Sequence, residues 1–245
     1  MKRISIDSID STMNYLARLD RSACEDSFIL VTADFQTAGR GQQGTQWESQ
    51  AGKNLLFSIR LSDLPLTASH QFALAEAIAL SLVEALNSYA PGFTIKWPND
   101  IYWKHYKICG TLTQHFLQGT LIQHTIVGVG LNVNQCHFTS DAPNPIALAQ
   151  ILGREVCREQ LLEAIIVRIH HNLDLLRQGE LTLIHDSYKQ GLYWLNEWHG
   201  FSTADADFEG RIVDVEPSGL LVVEMRHGAL RRFAFKEIQY APKNS

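Results

Sequence analysis

Residues 93–133 read FTIKWPNDIYWKHYKICGTLTQHFLQGTLIQHTIVGVGLNV. Short apolar, β-branched runs at 93–97, 100–104, 108–117 and 120–133 are punctuated by Pro98-Asn99-Asp100 and Gln118-Gly119. The runs fit strands, and the connections are too short for crossovers, so antiparallel pairing is predicted. Pro98 cannot donate a ladder bond and fixes a turn. It sets Asn99 and Asp100 at a strand end, where a polar side chain can face a ligand. Lys96 and Lys107 bring two cations near that carboxylate. Asp100 is of a type that binds Mg²⁺ or orients an amine; a tight hairpin with surface lysines is the plainer alternative.

Outward from this stretch the pattern is mixed. Residues 69–88 carry Phe72, Ala75, Ala79, Leu82, Val83 and Leu86 at helical spacing, and Pro91-Gly92 follows. Further upstream, 11–21 fits a short helix capped by Ser11 or Thr12. Strands are predicted at 28–33 and 54–61, with a long polar loop over 34–53. Downstream, 158–178 is a long amphipathic helix, with Gly179 placed to end it, and 181–190 a shorter one. The last ~45 residues change character. Short strands at 209–215, 219–225 and 230–235, split by turn residues, predict a small barrel. The expected fold class is α+β: a mixed, largely antiparallel sheet packed with helices, then the small barrel. The expected domains are 1–197 and 198–245.

Composition excludes several classes. The chain has 245 residues, 45% of them hydrophobic, enough for a packed core. Lys and Arg total 21 against 26 Asp and Glu, a net charge of −5, which disfavours a duplex-coating role. The apolar stretch from Phe72 to Leu86 is too short to span a bilayer, and no secretory signal opens the chain. Cysteines at 24, 109, 136 and 157 form no CxxC pair; they are expected to be reduced, cytoplasmic and mostly buried. His170 and His171 are adjacent on a helix and point about 100° apart, which argues against a joint metal site.

Gly39-Arg40-Gly41-Gln42-Gln43-Gly44 matches GxGxxG in letters only. A dinucleotide site needs a helix to follow, and 45–52 has no apolar periodicity. The glycines still let backbone amides approach a ligand, Arg40 offers a fork for a carboxylate or phosphate, and Trp47 has a face for a purine. A flexible surface loop reads the same residues equally well. Taken with Lys96, Asp100 and Lys107, the loop points to an anion site for a nucleotide.

These segments together resemble the biotin–protein ligases. The matching pieces are Asp10-Ser11-Thr12, Gln36 to Gly41, Trp47, Lys96 to Asp100, Lys107 to Gly110, and Gly128 to Asn132. They occur in the family's order over residues 10–134, and the segment ending in Lys236-Glu237-Ile238 is similar to its SH3-like barrel. The resemblance implies ATP-dependent formation of biotinyl-5′-AMP, then transfer of biotin to a lysine of a biotin carboxyl carrier protein. Ser11, Thr12 and Gln36 would bond the ureido ring, and Gly39, Gly110, Leu112 and Gly128 would line the biotin pocket. Arg40 and Lys107 would hold the carboxylate and phosphate, with Lys96 beside them in the catalytic group. Gly41, Gln42, Trp47, Asn99 and Asn132 would lie on the ATP side. Asp100 would handle Mg²⁺ or the incoming lysine, whose ordinary pKa of ~10.4 leaves few neutral amines at pH 7. Loop 39–46 would order over the adenylate and exclude water.

The chain departs from the family pattern at Gln42, Thr45 and Gln114, the first two standing where arginine is common. With nine residues before Asp10, no DNA-binding domain is expected. Lipoate–protein ligase shares the chemistry but lacks the KWPND string; a non-catalytic biotin-binding module is the other alternative. Homodimerisation and carrier docking by strand addition are both compatible with the sequence.

Overall fold

The structure, a computed structural model, describes residues 1–19, 26–41, 46–140 and 144–241. The first half builds a seven-stranded sheet. Its strands are β1 (Lys2–Ile9), β2 (Phe28–Gln36), β3 (Leu55–Ser62), β4 (Phe93–Lys96), β5 (Asp100–Trp103), β6 (Tyr106–Gln118) and β7 (Leu121–Leu131), in the order β1-β2-β3-β7-β6-β5-β4. The four strands of the 93–133 stretch pair antiparallel, as their short connections require. Only β1 and β2 run parallel, joined through helix α1 (Thr12–Arg18).

Alternation along the strands makes two apolar layers. Phe28 and Leu30 of β2 and Phe57 and Ile59 of β3 face the large core with helix α2 (Gln71–Asn87). On the other face, Ile29, Val31 and Ile126 pack under Met13 and Leu16 of α1. Helices α3 (Leu148–Leu152), α4 (Arg158–Arg177) and α5 (Leu181–Gln190) complete this part. α4 turns Leu161, Leu162, Ile165, Ile166, Ile169, Leu173 and Leu176 inward, the periodicity read from the sequence.

The second sheet is antiparallel throughout, with strands β8 (Trp198–Ser202), β9 (Asp207–Val215), β10 (Leu221–Met225), β11 (Leu230–Phe233) and β12 (Gln239–Ala241). Its order is β11-β10-β9-β8-β12. Phe201, Ile212, Val223 and Phe233 belong to the same apolar cluster as α2 and β4.

Several expectations change. β1 is absent from the sequence reading because Ile4 and Ile6 are only half-buried on an edge strand and give a weak signal. β2 extends to Gln36, so the loop starts at Thr37 and not at residue 34. α3, β8 and β12 are too short to show a period. Cys109 is buried, but Cys136 and Cys157 are exposed. Cys24 lies outside the described residues. Among the described residues, no helix is long and apolar enough to cross a membrane.

Candidate active site

The floor of the site follows from strand register. On β3 and β7, Phe57, Ile59, Val127 and Val129 point into the helical core, so Ser58, Gly128 and Gly130 point the other way. Ser58 stands opposite Gly128, and Gly128 opposite Leu112. Leu56 stands opposite Gly130, and Gly130 opposite Gly110. Glycines at these crossings leave a trench. A β-carbon on Gly128 would lie 2.6 Å from Met13 Sδ, and one on Gly130 would lie 2.5 Å from Trp47 Cε2. Above this floor is a cavity of about 680 Å³.

One end of the cavity is polar and closed. Ser11, Thr12 and Ser58 line it and are buried. Thr12 donates its backbone N–H to Gln36 Oε1 (2.7 Å) and its hydroxyl to the same oxygen (3.1 Å). Thr12 Oγ1 and Ser58 Oγ are 2.7 Å apart. Hydroxyls and amides both donate and accept, so this end suits a ligand group that does both.

The middle of the cavity is charged. β5 begins at Asp100 and β6 carries Lys107, and the two side chains form an ion pair at 2.5 Å. The Lys107 backbone is pinned on both sides, donating to Asn144 O (2.9 Å) and accepting from Ile146 N (3.0 Å). Lys96 Nζ donates to Tyr102 OH (3.2 Å) and lies 4.8 Å from the centre of the Tyr240 ring. Burial pushes its pKa down, and the nearby Asp100 partly opposes that. Arg40 is exposed at the rim and donates to Asn14 Oδ1 (3.3 Å).

The remaining wall is aromatic. Trp47 covers Gly110 and Gly130. Its backbone N–H donates to Gly39 O (3.1 Å), and Arg40 bridges Gln46, which closes the base of the loop. Trp47 Nε1 and Asn132 Oδ1 are both buried and have no partner among the described residues. They give this wall a spare donor and a spare acceptor.

Ser11, Thr12, Gln36, Arg40, Gly41, Trp47, Lys96, Asp100, Lys107, Gly110, Leu112, Gly128 and Asn132 therefore line one cavity. Gly39 stands behind it, where a β-carbon would come 3.0 Å from Trp47 O. Asn99 is not among the residues that line the cavity: its Nδ2 donates to Thr111 O (3.2 Å), and Thr111 Oγ1 donates back to Asn99 O (3.3 Å). That exchange ties the Pro98 turn to β6. Gln42 and Thr45 lie outside the described residues.

Sequence reading missed Ser58, Tyr102, Phe235 and Lys236, all of which line the cavity. Ser58 left a signal, as a hydroxyl inside the apolar run LLFSIRL. Phe235 and Lys236 left none, because only the tertiary fold brings the second sheet to this cavity.

Known proteins agree with this geometry. The model of the biotin/lipoate A/B protein ligase family matches residues 5–132. The bifunctional ligase/repressor BirA of Bacillus spizizenii is 30% identical over 232 residues, 91% of this chain and 69% of that protein. The biotin–[acetyl-CoA-carboxylase] ligase of Mycobacterium tuberculosis is 36% identical over 124 residues, 49% of this chain and 44% of that protein. The biotin protein ligase from Aquifex aeolicus, solved with biotin and ATP, shares the fold. Its TM-score is 0.82 at 24% identity, over 99% of each chain. With the family model spanning the strands and glycines that build the cavity floor, the chain belongs to the biotin/lipoate A/B protein ligase family.

Proposed function

We propose that this chain is a biotin–protein ligase that uses ATP to attach biotin to a lysine of a biotin carboxyl carrier domain. The observation that carries the choice of biotin is the closed polar end. Thr12, Ser58 and Gln36 form a hydroxyl–amide cluster there. A ureido ring presents one carbonyl and two N–H groups and can satisfy such a cluster. A dithiolane ring, as in lipoate, presents neither, and would gain no hydrogen bond from this cluster.

The reaction divides into two displacements. A biotin carboxylate oxygen attacks the α-phosphorus of ATP; the α–β bridging bond breaks, and pyrophosphate leaves. The neutral amine of the carrier lysine then attacks the acyl carbon; the bond to the phosphate oxygen breaks, and AMP leaves. Arg40 and Lys107 offset the repulsion between the carboxylate and the triphosphate. Asp100 lines the same cavity and would orient the lysine or take its proton. Lys96 adds positive charge behind it. Trp47 and Asn132 offer a ring face and an amide to the adenylate.

Magnesium fits as a companion of the phosphates. Among the described residues, no three His, Cys, Asp or Glu side chains converge as a metal cage. Mg²⁺ commonly takes one or two carboxylates plus substrate phosphates. Asp100 would hold it, and the ion would supply charge neutralisation there.

The partner in this reading is the carrier domain of acetyl-CoA carboxylase or a related carboxylase. β1 is one edge strand of the large sheet, where strand addition by a carrier or a second copy would occur. We assign the biotin and adenylate site to residues 1–197, with 198–245 contributing Phe235 and Lys236 to its rim. The test is biotin-dependent ATP–pyrophosphate exchange, run in parallel with lipoate. Exchange with biotin and not lipoate is expected. Exchange with lipoate alone overturns the substrate, and exchange with neither favours a binding module.

A further inference from the structure

Lys236 is one of six described non-glycine residues with positive φ, at +80°. It is the third residue of a turn in which Glu237 N donates to Ala234 O (3.1 Å). The Glu237 carboxylate also accepts from Ala234 N (2.7 Å), which fixes the turn from both ends. Glycine ordinarily takes such a left-handed position, because a β-carbon is strained there. Here a long cationic side chain takes it instead.

The turn is also where the second sheet reaches the cavity. Phe235 and Lys236 are the two described residues of that sheet's chain that line it. The Phe235 ring meets the Trp97 ring edge-on at 6.1 Å, beside the turn that carries Asp100. Lys236 is exposed and has no carboxylate within ion-pairing distance among the described residues. Lys107, by contrast, is already paired with Asp100. Among the described residues the Lys236 ammonium has only the ring face of the adjacent Phe235, 5.6 Å from the ring centre. A strained cation with no carboxylate partner at the rim of an anion site is placed for a ligand and not for the fold.

We propose that Lys236 holds the departing pyrophosphate portion of the nucleoside triphosphate. The assignment rests on the adenylation reading above. The rim is where pyrophosphate, the first product, must leave, while in this reading the acyl and α-phosphate groups lie deeper, beside Lys107. An ammonium at the rim would bind the β- and γ-phosphates and stabilise the leaving group as the bridging bond breaks. It would have no role once pyrophosphate is gone.

The test is Lys236→Gly, which removes the cation and suits the left-handed backbone. Its thermal midpoint is expected to equal or exceed that of the parent. In biotin-dependent exchange, the KM values for ATP and pyrophosphate are expected to rise about tenfold, the size of one charge-assisted hydrogen bond. KM for biotin is expected to stay put. Transfer from supplied biotinyl-5′-AMP to a carrier domain is expected to be unchanged. Lys236→Arg should recover most of the exchange. Unaltered KM for ATP and pyrophosphate in the glycine variant overturns the proposal, as does an equal loss in transfer from the supplied adenylate. If the parent protein shows no biotin-dependent exchange, the adenylation reading falls as well; exchange in the parent with an unaffected variant overturns the Lys236 assignment alone.

Discussion

A β-carbon on Gly130 would be placed 2.5 Å from the rigid indole of Trp47. An indole cannot yield locally, so Gly130→Ala is expected to push Trp47 off the floor while β7 stays paired. Comparison of tryptophan emission with that of Trp47→Phe checks this; an unshifted spectrum counts against the packing. Gly128 differs, because its neighbour there is the flexible end of Met13. Lys107→Ala removes a cation facing the proposed phosphates and leaves Asp100 without its ion-pair partner. Biotin-dependent exchange should fall by ~10²–10³, and undiminished exchange would remove the phosphate assignment. At this scale Arg40, Lys96, Asp100 and Lys107 were legible, because charge types recur at motif spacing. That the Asn99 amide is turned to Thr111 O and does not line the cavity was not, since a letter does not show which way an amide points.

α5 acts on the Pro98 turn from behind. Tyr188 is fully buried and donates to Pro98 O (2.7 Å), and its ring meets Phe72 of α2 edge-on. Tyr188→Phe leaves that carbonyl unsatisfied, at a cost of about 1–3 kcal/mol. The thermal midpoint should drop by several degrees; an unchanged midpoint would show that the bond contributes little. The same helix pair holds a pH-sensitive contact. Glu76 of α2 is buried against His185 Nδ1 at 2.7 Å, and burial pushes Glu76 up to about 7. In the unfolded chain it titrates near ~4.3. The folded state therefore binds the extra proton between these values. This contribution to stability is full below the unfolded value and is lost as pH rises through about 7. Denaturation of Glu76→Gln from pH 5 to 8 should show a flatter pH slope than the parent; an identical slope would sink this account. The long helices were legible from their period, whereas this polar pair between them was not.

Across the whole molecule, the two sheets share one apolar cluster. Trp97 spans them, donating Nε1 to Gly219 O at 3.0 Å, and Gly219 in turn sits against Phe72. The proposed boundary at 197/198 divides the chain by topology and not by core. A single calorimetric transition is expected, because neither part buries its apolar surface alone. Two well-separated transitions would show that the sheets fold independently.

The sequence alone determined the α+β class, the antiparallel run over 93–133, the long helices and the family resemblance. Those features are written in local periodicity, turn residues and contiguous motifs, which act over a few residues. Tertiary structure alone decided that β1 is a parallel edge strand, that Ser58 shares the polar end with Thr12, and that Phe235 and Lys236 reach a cavity otherwise built from residues no later than Pro145. Such contacts depend on strand register and on how the sheets meet, and neither has a local signature.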